Sequence, residues 1–177
     1  MNKVIAVLAS ILVLGLVNFS IYHKERLISD GSEVLLELAP VDPRSLMQGD
    51  YMILRFTIAN DIGAQLKKAQ LNIEENLNQD GQVLVTIDNN QVANFKTLAA
   101  NDNNIKNKSA MSLKYRIRNG QLKFATNAFF FEEGFASFYD KARYGVFKVA
   151  SDGEMILVDM ADESFKRIKQ SLLVTKS

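Results

Sequence analysis

The chain has 177 residues, of which 47% are hydrophobic and 23% charged, so it is long and apolar enough to bury the core of one ordinary domain. Its 21 basic and 20 acidic residues give a net charge of +1, which excludes the basic footprint of a nucleic-acid-binding protein. The absence of cysteine excludes disulfides, thiolate zinc sites and thiol nucleophiles.

The amino-terminal segment is a candidate membrane span. Nineteen residues from Val4 to Tyr22 carry no charge, and a helix of that length, at about 1.5 Å per residue, nearly crosses a hydrocarbon core of about 30 Å. Three interpretations compete: a buried globular helix, a cleaved signal peptide and an uncleaved signal anchor. The segment has no polar stripe and no A-x-A-like cleavage site follows it, which favours the uncleaved anchor.

Charges on either side of this segment bear on its orientation. Lys3 and the terminal amine favour a cytoplasmic amino terminus, whereas Lys24 and Arg26 follow the span. A short tail before the span and a large domain after it is the usual geometry of an anchor. We therefore expect residues 1–23 to cross a membrane once as a signal anchor, and residues 24–177 to form a domain outside the cytoplasm.

Beyond the anchor, the apolar pattern predicts a mainly β, α+β domain of antiparallel strands with two or three short helices. In chain order the predicted elements are a helix ending at Gly31, strands at 33–39 and 51–59, a helix within 60–82, a hairpin around Asn89-Asn90, a polar loop at 101–109, a hairpin around Asn119-Gly120, a short helix at 132–143, a hairpin around Asp152-Gly153 and a final helix at 162–174.

The strand predicted at 51–59 has the clearest alternation. Met52, Leu54, Phe56 and Ile58 would occupy one face, which we expect to point into the core because every member is apolar. The Asn119-Gly120 pair is the type I′ turn that the twist of antiparallel strands favours.

The segment "PVDPRSLMQGDYMILRF", residues 40–56, holds both prolines of the chain. A structural interpretation lets Gly49 supply a positive φ or a bulge and Asp50 bond backbone amides, while Arg44 pairs with a nearby Asp. Two functional interpretations stay open. Asp42 and Asp50 are a possible acid/base pair, or these charges together with Arg55 form a contact surface.

A second candidate lies further along the chain, in "FFFEEGFASFY". Glu132 and Glu133 before Gly134 would hold a cation through oxygen ligands, or cap the helix that follows. The six aromatic rings of this stretch would be mostly core, or else a patch that docks against the transmembrane region of a partner.

The sequence "QGDYMILRF" resembles the signature of the GDYXXLXY family. Gly49, Asp50, Tyr51 and Leu54 match, and Phe56 takes the last aromatic position, so the hydroxyl of the family's tyrosine is absent here. The stretches "PVDPRSL", "FFFEEG", "ARYGVFKV" and "DGEMIL" extend the resemblance over most of the domain. It implies a membrane-tethered domain without established activity, often encoded beside multi-pass membrane proteins.

The same segment has a weaker likeness to signal-peptidase-like β domains, in which a Gly-Asp pair also opens a strand after a loop with Ser and Pro. Such a peptidase needs a serine activated by a lysine. The spacing of Ser45 from Gly49 does not match that pattern, and no lysine lies between Leu27 and Gln65. No intact Ser/Lys dyad is therefore predicted.

These observations lead to two expectations. The first is a single-span accessory protein of a bacterial inner membrane, without catalysis, cofactor, metal or nucleic acid, whose periplasmic domain assembles with a multi-pass membrane protein. The alternative is a membrane-tethered hydrolase or small-ligand-binding domain that uses the loop carboxylates at 42 and 50 or at 132 and 133. The candidate binding and motif residues are Asp42, Arg44, Gly49, Asp50, Tyr51, Leu54, Phe56 and Glu133.

Overall fold

The structure is a computed structural model that describes residues 2–39, 47–48, 51–68, 78–99 and 110–168. Its elements are α1 (Asn2–Asp30), β1 (Ser32–Glu37), β2 (Met47–Gln48), β3 (Tyr51–Ile53), α2 (Thr57–Lys68), β4 (Asn78–Ile87), β5 (Ala93–Leu98), β6 (Ala110–Arg118), β7 (Gln121–Lys123), β8 (Ala128–Phe130), α3 (Ala136–Tyr139), β9 (Tyr144–Val149) and β10 (Met155–Ala161). The predicted fold class, an antiparallel β-rich domain with short helices behind an apolar helix, is confirmed.

The helix α1 is long and apolar enough to cross a membrane over residues 3–30. It continues beyond the uncharged stretch and ends at Asp30, where the Gly31 amide donates a hydrogen bond to the Leu27 carbonyl (3.0 Å). A Cβ at Gly31 would overlap that carbonyl oxygen and press on Lys148, so glycine is the residue that fits here. The predicted helix end at Gly31 is confirmed.

The carboxyl-terminal end of α1 packs against the β domain. Leu27 is buried, and α1 contacts both β9 and β10. The Lys24 ammonium and the His23 ring (3.3 Å) lie against the carboxylate of Glu154, in the turn that joins those two strands. The apolar helix and the β domain therefore meet in a packed junction.

The strands form three antiparallel sheets, in the orders β1-β9-β10, β2-β3-β8 and β5-β4-β6-β7. The three predicted hairpin turns are confirmed. At the Asn119-Gly120 turn both residues have positive φ (51° and 71°), as a type I′ turn requires. At Asp152-Gly153 the Gly153 amide bonds the Ala150 carbonyl (3.0 Å) and its φ is 84°.

The main core joins all three sheets and both short helices, with Val34, Met52, Ile62, Val83 and Phe147 among its buried members. Such a core is stabilised mainly by apolar area removed from water, at about 25 cal/mol per Å². A smaller cluster around Leu35 and Val146 lies on the other face of β1 and β9. Successive residues of β1 point to opposite faces, which is why Leu35 belongs to a different cluster from its neighbours.

The strand predicted at 51–59 is shorter than expected. β3 ends at Ile53 and α2 begins at Thr57, although all four residues predicted for the core face are buried. Ile58 also belongs to a second pattern, because Ile58, Ile62 and Leu66 recur at helical spacing and are the buried face of α2. The helical pattern determines the backbone from Thr57 onward.

Two predicted helices differ from the structure. The helix predicted within 60–82 ends at Lys68 as far as it is described, and residues 78–82 belong to β4, which pairs with β6 from Asn78↔Arg118 onward. Of the helix predicted at 132–143, four residues are helical, Ala136–Tyr139. The polar loop predicted at 101–109 lies outside the described residues.

The final helix, predicted at 162–174, is wrong for residues 162–168. The Asp162 carboxylate accepts hydrogen bonds from the backbone amides of Ser164 (2.8 Å) and Lys166 (3.0 Å), and Phe165 has a φ of 61°. An aspartate that bonds nearby amides in this way competes with helical hydrogen bonds. Residues 169–174 lie outside the described part.

Candidate functional site

Half of the predicted motif residues lie outside the described part of the chain. This holds for Asp42, Arg44, Gly49 and Asp50, and also for Ser45. Their roles as an acid/base pair, a contact surface or a structural turn stay predictions. Of the four described candidates, Leu54 and Phe56 are buried, Tyr51 lies at the surface and Glu133 is exposed.

Leu54 and Phe56 are core residues. The Phe56 ring lies edge-on to Phe124 (centroids 6.1 Å apart) and to Phe147 (5.5 Å), and it is 3% exposed. The Leu54 amide donates to the Asn127 carbonyl (2.7 Å) and its side chain is fully buried. These two positions hold the motif segment onto the domain.

Tyr51 lies at the surface, in β3. It pairs with Phe130 of β8, and the next pair along is Met52 with Phe129. Side chains alternate across a strand, so Met52 and Phe129 point to the core while Tyr51 and Phe130 point outward. The rings of Tyr51 and Phe130 are 5.6 Å apart, and Phe130 is 74% exposed. We call these two rings the aromatic pair.

The other rings of "FFFEEGFASFY" are divided between core and surface. Phe131 is buried and stacks on Tyr139 (5.2 Å), which Phe129 meets edge-on (5.0 Å). Burial raises the pKa of Tyr139, and the carboxylates of Asp159 and Glu132 add to that rise. The core interpretation holds for these three rings, whereas Phe130 faces solvent.

The second predicted site is not assembled by the described residues. Glu132 and Glu133 are both exposed, and no group of three His, Asp or Glu side chains in the described ranges is placed to hold a metal ion. The predicted cap is wrong, because Phe135 occupies the N-cap position of α3 without a side-chain bond. Glu132 contributes only its backbone carbonyl, to the Phe135 amide (3.1 Å).

Sequence reasoning missed a groove between α2 and the segment 120–128, with a volume of about 1020 Å³. Arg55, Lys67, Arg116 and Lys123 line it, and no Asp or Glu is among its described lining residues. We call these four residues and the space between them the basic groove. The four are scattered over 69 positions of the sequence (from 55 to 123), so no charge run marks them.

The junction below α1 carries the opposite charge pattern. The pKa of the Glu154 carboxyl is lowered, first by the hydrogen bond from Lys24 and also by His23. In the same turn, the Lys114 ammonium bonds the Asp152 carboxylate (2.6 Å) and lowers its pKa. Cations near the apolar helix are thus paired with carboxylates.

A comparison with protein families gives one result. The family model of the GDYXXLXY proteins matches residues 13–160, which is most of the chain and includes part of α1. No curated protein and no solved structure matches the chain.

Proposed function

The chain belongs to the GDYXXLXY protein family, and we propose that it is a single-span membrane accessory protein whose domain lies outside the cytoplasm and assembles with a multi-pass membrane protein. The proposal has two parts, a membrane part in α1 and a contact surface on the domain. Neither part requires catalysis. The aromatic pair carries the argument for the contact surface.

The position of Phe130 supports a partner at this surface. Burying a phenylalanine side chain fully contributes about 1.5–3 kcal/mol to stability. Because Phe130 is 74% exposed, most of that contribution is not realised within the protein's own fold. Its strand β8 pairs with β3 on one side, and among the described strands it has no second neighbour. An outer strand can pair with another chain through its backbone, although the Thr126 hydroxyl already bonds the carbonyl (2.9 Å) and the amide (3.2 Å) of Ala128 in β8.

The surface of α1 supports a partner within the membrane. The large apolar side chains from Val4 to Tyr22 are all exposed on the protein's own fold, so lipid or another helix covers them. Asn18 lies in this stretch and donates one amide hydrogen to the Leu14 carbonyl (2.9 Å). Its other amide groups are the kind that hydrogen-bond across helices in lipid.

Photo-crosslinking in intact membranes tests the proposal. Benzoylphenylalanine placed at position 130 is expected to form an adduct with an integral membrane protein, identified by mass spectrometry. Position 165 is the matched control, since Phe165 is 37% exposed but its ring contacts that of Tyr144 (centroids 5.1 Å apart) away from the motif strand. No adduct at 130, identical adducts at both positions, or an adduct only with a second copy of the chain would contradict it.

A further inference from the structure

The basic groove has the shape of a ligand site. Small residues on one face of α2, Ala59, Gly63 and Ala64, form one wall, and Ala125 and Ala128 lie on the other. These short side chains leave space where longer ones would meet. The resulting volume of about 1020 Å³ is at the upper end of the range for small-molecule sites, about 300–1,000 Å³.

Its charges are unbalanced within the described part of the chain. Elsewhere on the domain several cations have carboxylate partners, Lys114 with Asp152, Arg118 with Asp80, and Lys148 and Arg167 with Glu33, whereas others such as Lys96 and Lys166 form no ion pair among the described residues. In the groove, Arg55, Lys67, Arg116 and Lys123 form no ion pair with any described residue. Like charges gathered in a cleft raise the local concentration of anions.

Neutral groups in the groove add hydrogen-bonding capacity. Arg116 donates to the Ala125 carbonyl (3.1 Å), which holds its guanidinium at the wall of the groove. The neutral side chains of Asn60, Gln121 and Thr126 also line the groove.

We propose that the basic groove binds a phosphate ester. Two guanidinium and two ammonium groups suit a phosphate, because arginine binds its oxygens in pairs and lysine supplies a compact charge. This chemistry is shared by soluble polyol phosphates and by the headgroups of glycerol-based anionic lipids, and the site is separate from the aromatic pair.

The test uses the full chain in nanodiscs. In phosphatidylcholine nanodiscs, glycerol 3-phosphate is titrated by calorimetry; in a second arm, phosphatidylglycerol is added to the bilayer and the thermal midpoint is measured. Binding in the first arm identifies a soluble ligand. A rise of the midpoint in the second arm alone identifies a headgroup. Either result supports the proposal only if it depends on the groove.

Matched variants establish that dependence. The Lys67→Gln/Lys123→Gln double variant is expected to lose at least about tenfold in affinity, or the whole midpoint rise, since it removes two charge-assisted contacts. The Lys68→Gln/Lys141→Gln double variant removes two exposed charges outside the groove and is expected to change the affinity less than about twofold. No binding in either arm, or equal losses in both double variants, would overturn the proposal.

Discussion

Phe56 has its ring edge-on to two other phenylalanines in the core, whereas Phe130 stands on an outer strand in contact with Tyr51. The same residue type thus has two roles within one motif region. Alternation along 51–58 predicts the buried set correctly, because apolar and polar residues differ there. The run Phe129-Phe130-Phe131 offers no such contrast, so only its pairing with β3 shows which ring faces outward.

Truncating these two rings tests the division. We expect Phe56→Ala to lower the free energy of unfolding by about 3–5 kcal/mol, since a large cavity opens in the core. Phe130→Ala is expected to change it by no more than about 0.5 kcal/mol, as is usual for a surface residue. Urea denaturation of the solubilised chain, followed by tyrosine fluorescence, measures both. Equal losses in the two variants would show that the rings do not differ in role.

At the scale of elements, local patterns predict the hairpins well and the helices less well. Turns such as Asn119-Gly120 are encoded by two adjacent residues, so the sequence is sufficient to find them. The helix ends depend on competition: Ile58 fits a strand and a helix equally, and Asp162 bonds backbone amides in place of a helical turn. Tertiary packing and side-chain hydrogen bonds decide where a helix begins or ends in such cases, and a short stretch of sequence does not reveal them.

The junction between α1 and the β9–β10 turn yields a prediction on pH. The pKa of Glu154 is lowered in the folded protein by Lys24, so its pairing stabilises the fold above the unfolded pKa of about 4.3 and is lost as the pH falls through the folded value. We expect Glu154→Gln to be less stable than wild type near pH 7, by at most about 1 kcal/mol because the pair is partly exposed.

The stabilities of the two proteins are expected to converge as the pH is lowered from 7 to 3, in denaturation curves recorded at both pH values. Glu133→Gln is the matched control, since Glu133 is exposed and forms no ion pair among the described residues. A stability difference for Glu154→Gln that is the same at both pH values would exclude the ion pair as its cause.

At the scale of the whole molecule, the sequence indicates the apolar helix and the class of domain but not the arrangement of its sheets. β1 pairs with β9 from Ser32↔Val149, and β3 pairs with β8 from Tyr51↔Phe130. These partners are distant along the chain, and no local pattern specifies them. The basic groove could not be predicted from the sequence for the same reason, because its four cations come together only in the folded domain.

The proposed orientation can be tested because the chain has no cysteine. One cysteine introduced at Ser151, in the exposed turn before β10, is expected to react with a membrane-impermeant maleimide in intact spheroplasts. A cysteine at Asn2 is expected to react only after the membrane is permeabilised. The reverse pattern would place the domain in the cytoplasm and contradict the proposed setting.

A single residue, Gly31, separates the end of α1 from the start of β1. Because Leu27 is buried and Lys24 pairs with Glu154, the end of α1 and the β domain are held together at this point. In the proposed membrane setting, a tilt of the 29-residue helix would therefore move the domain outside the lipid through the same angle.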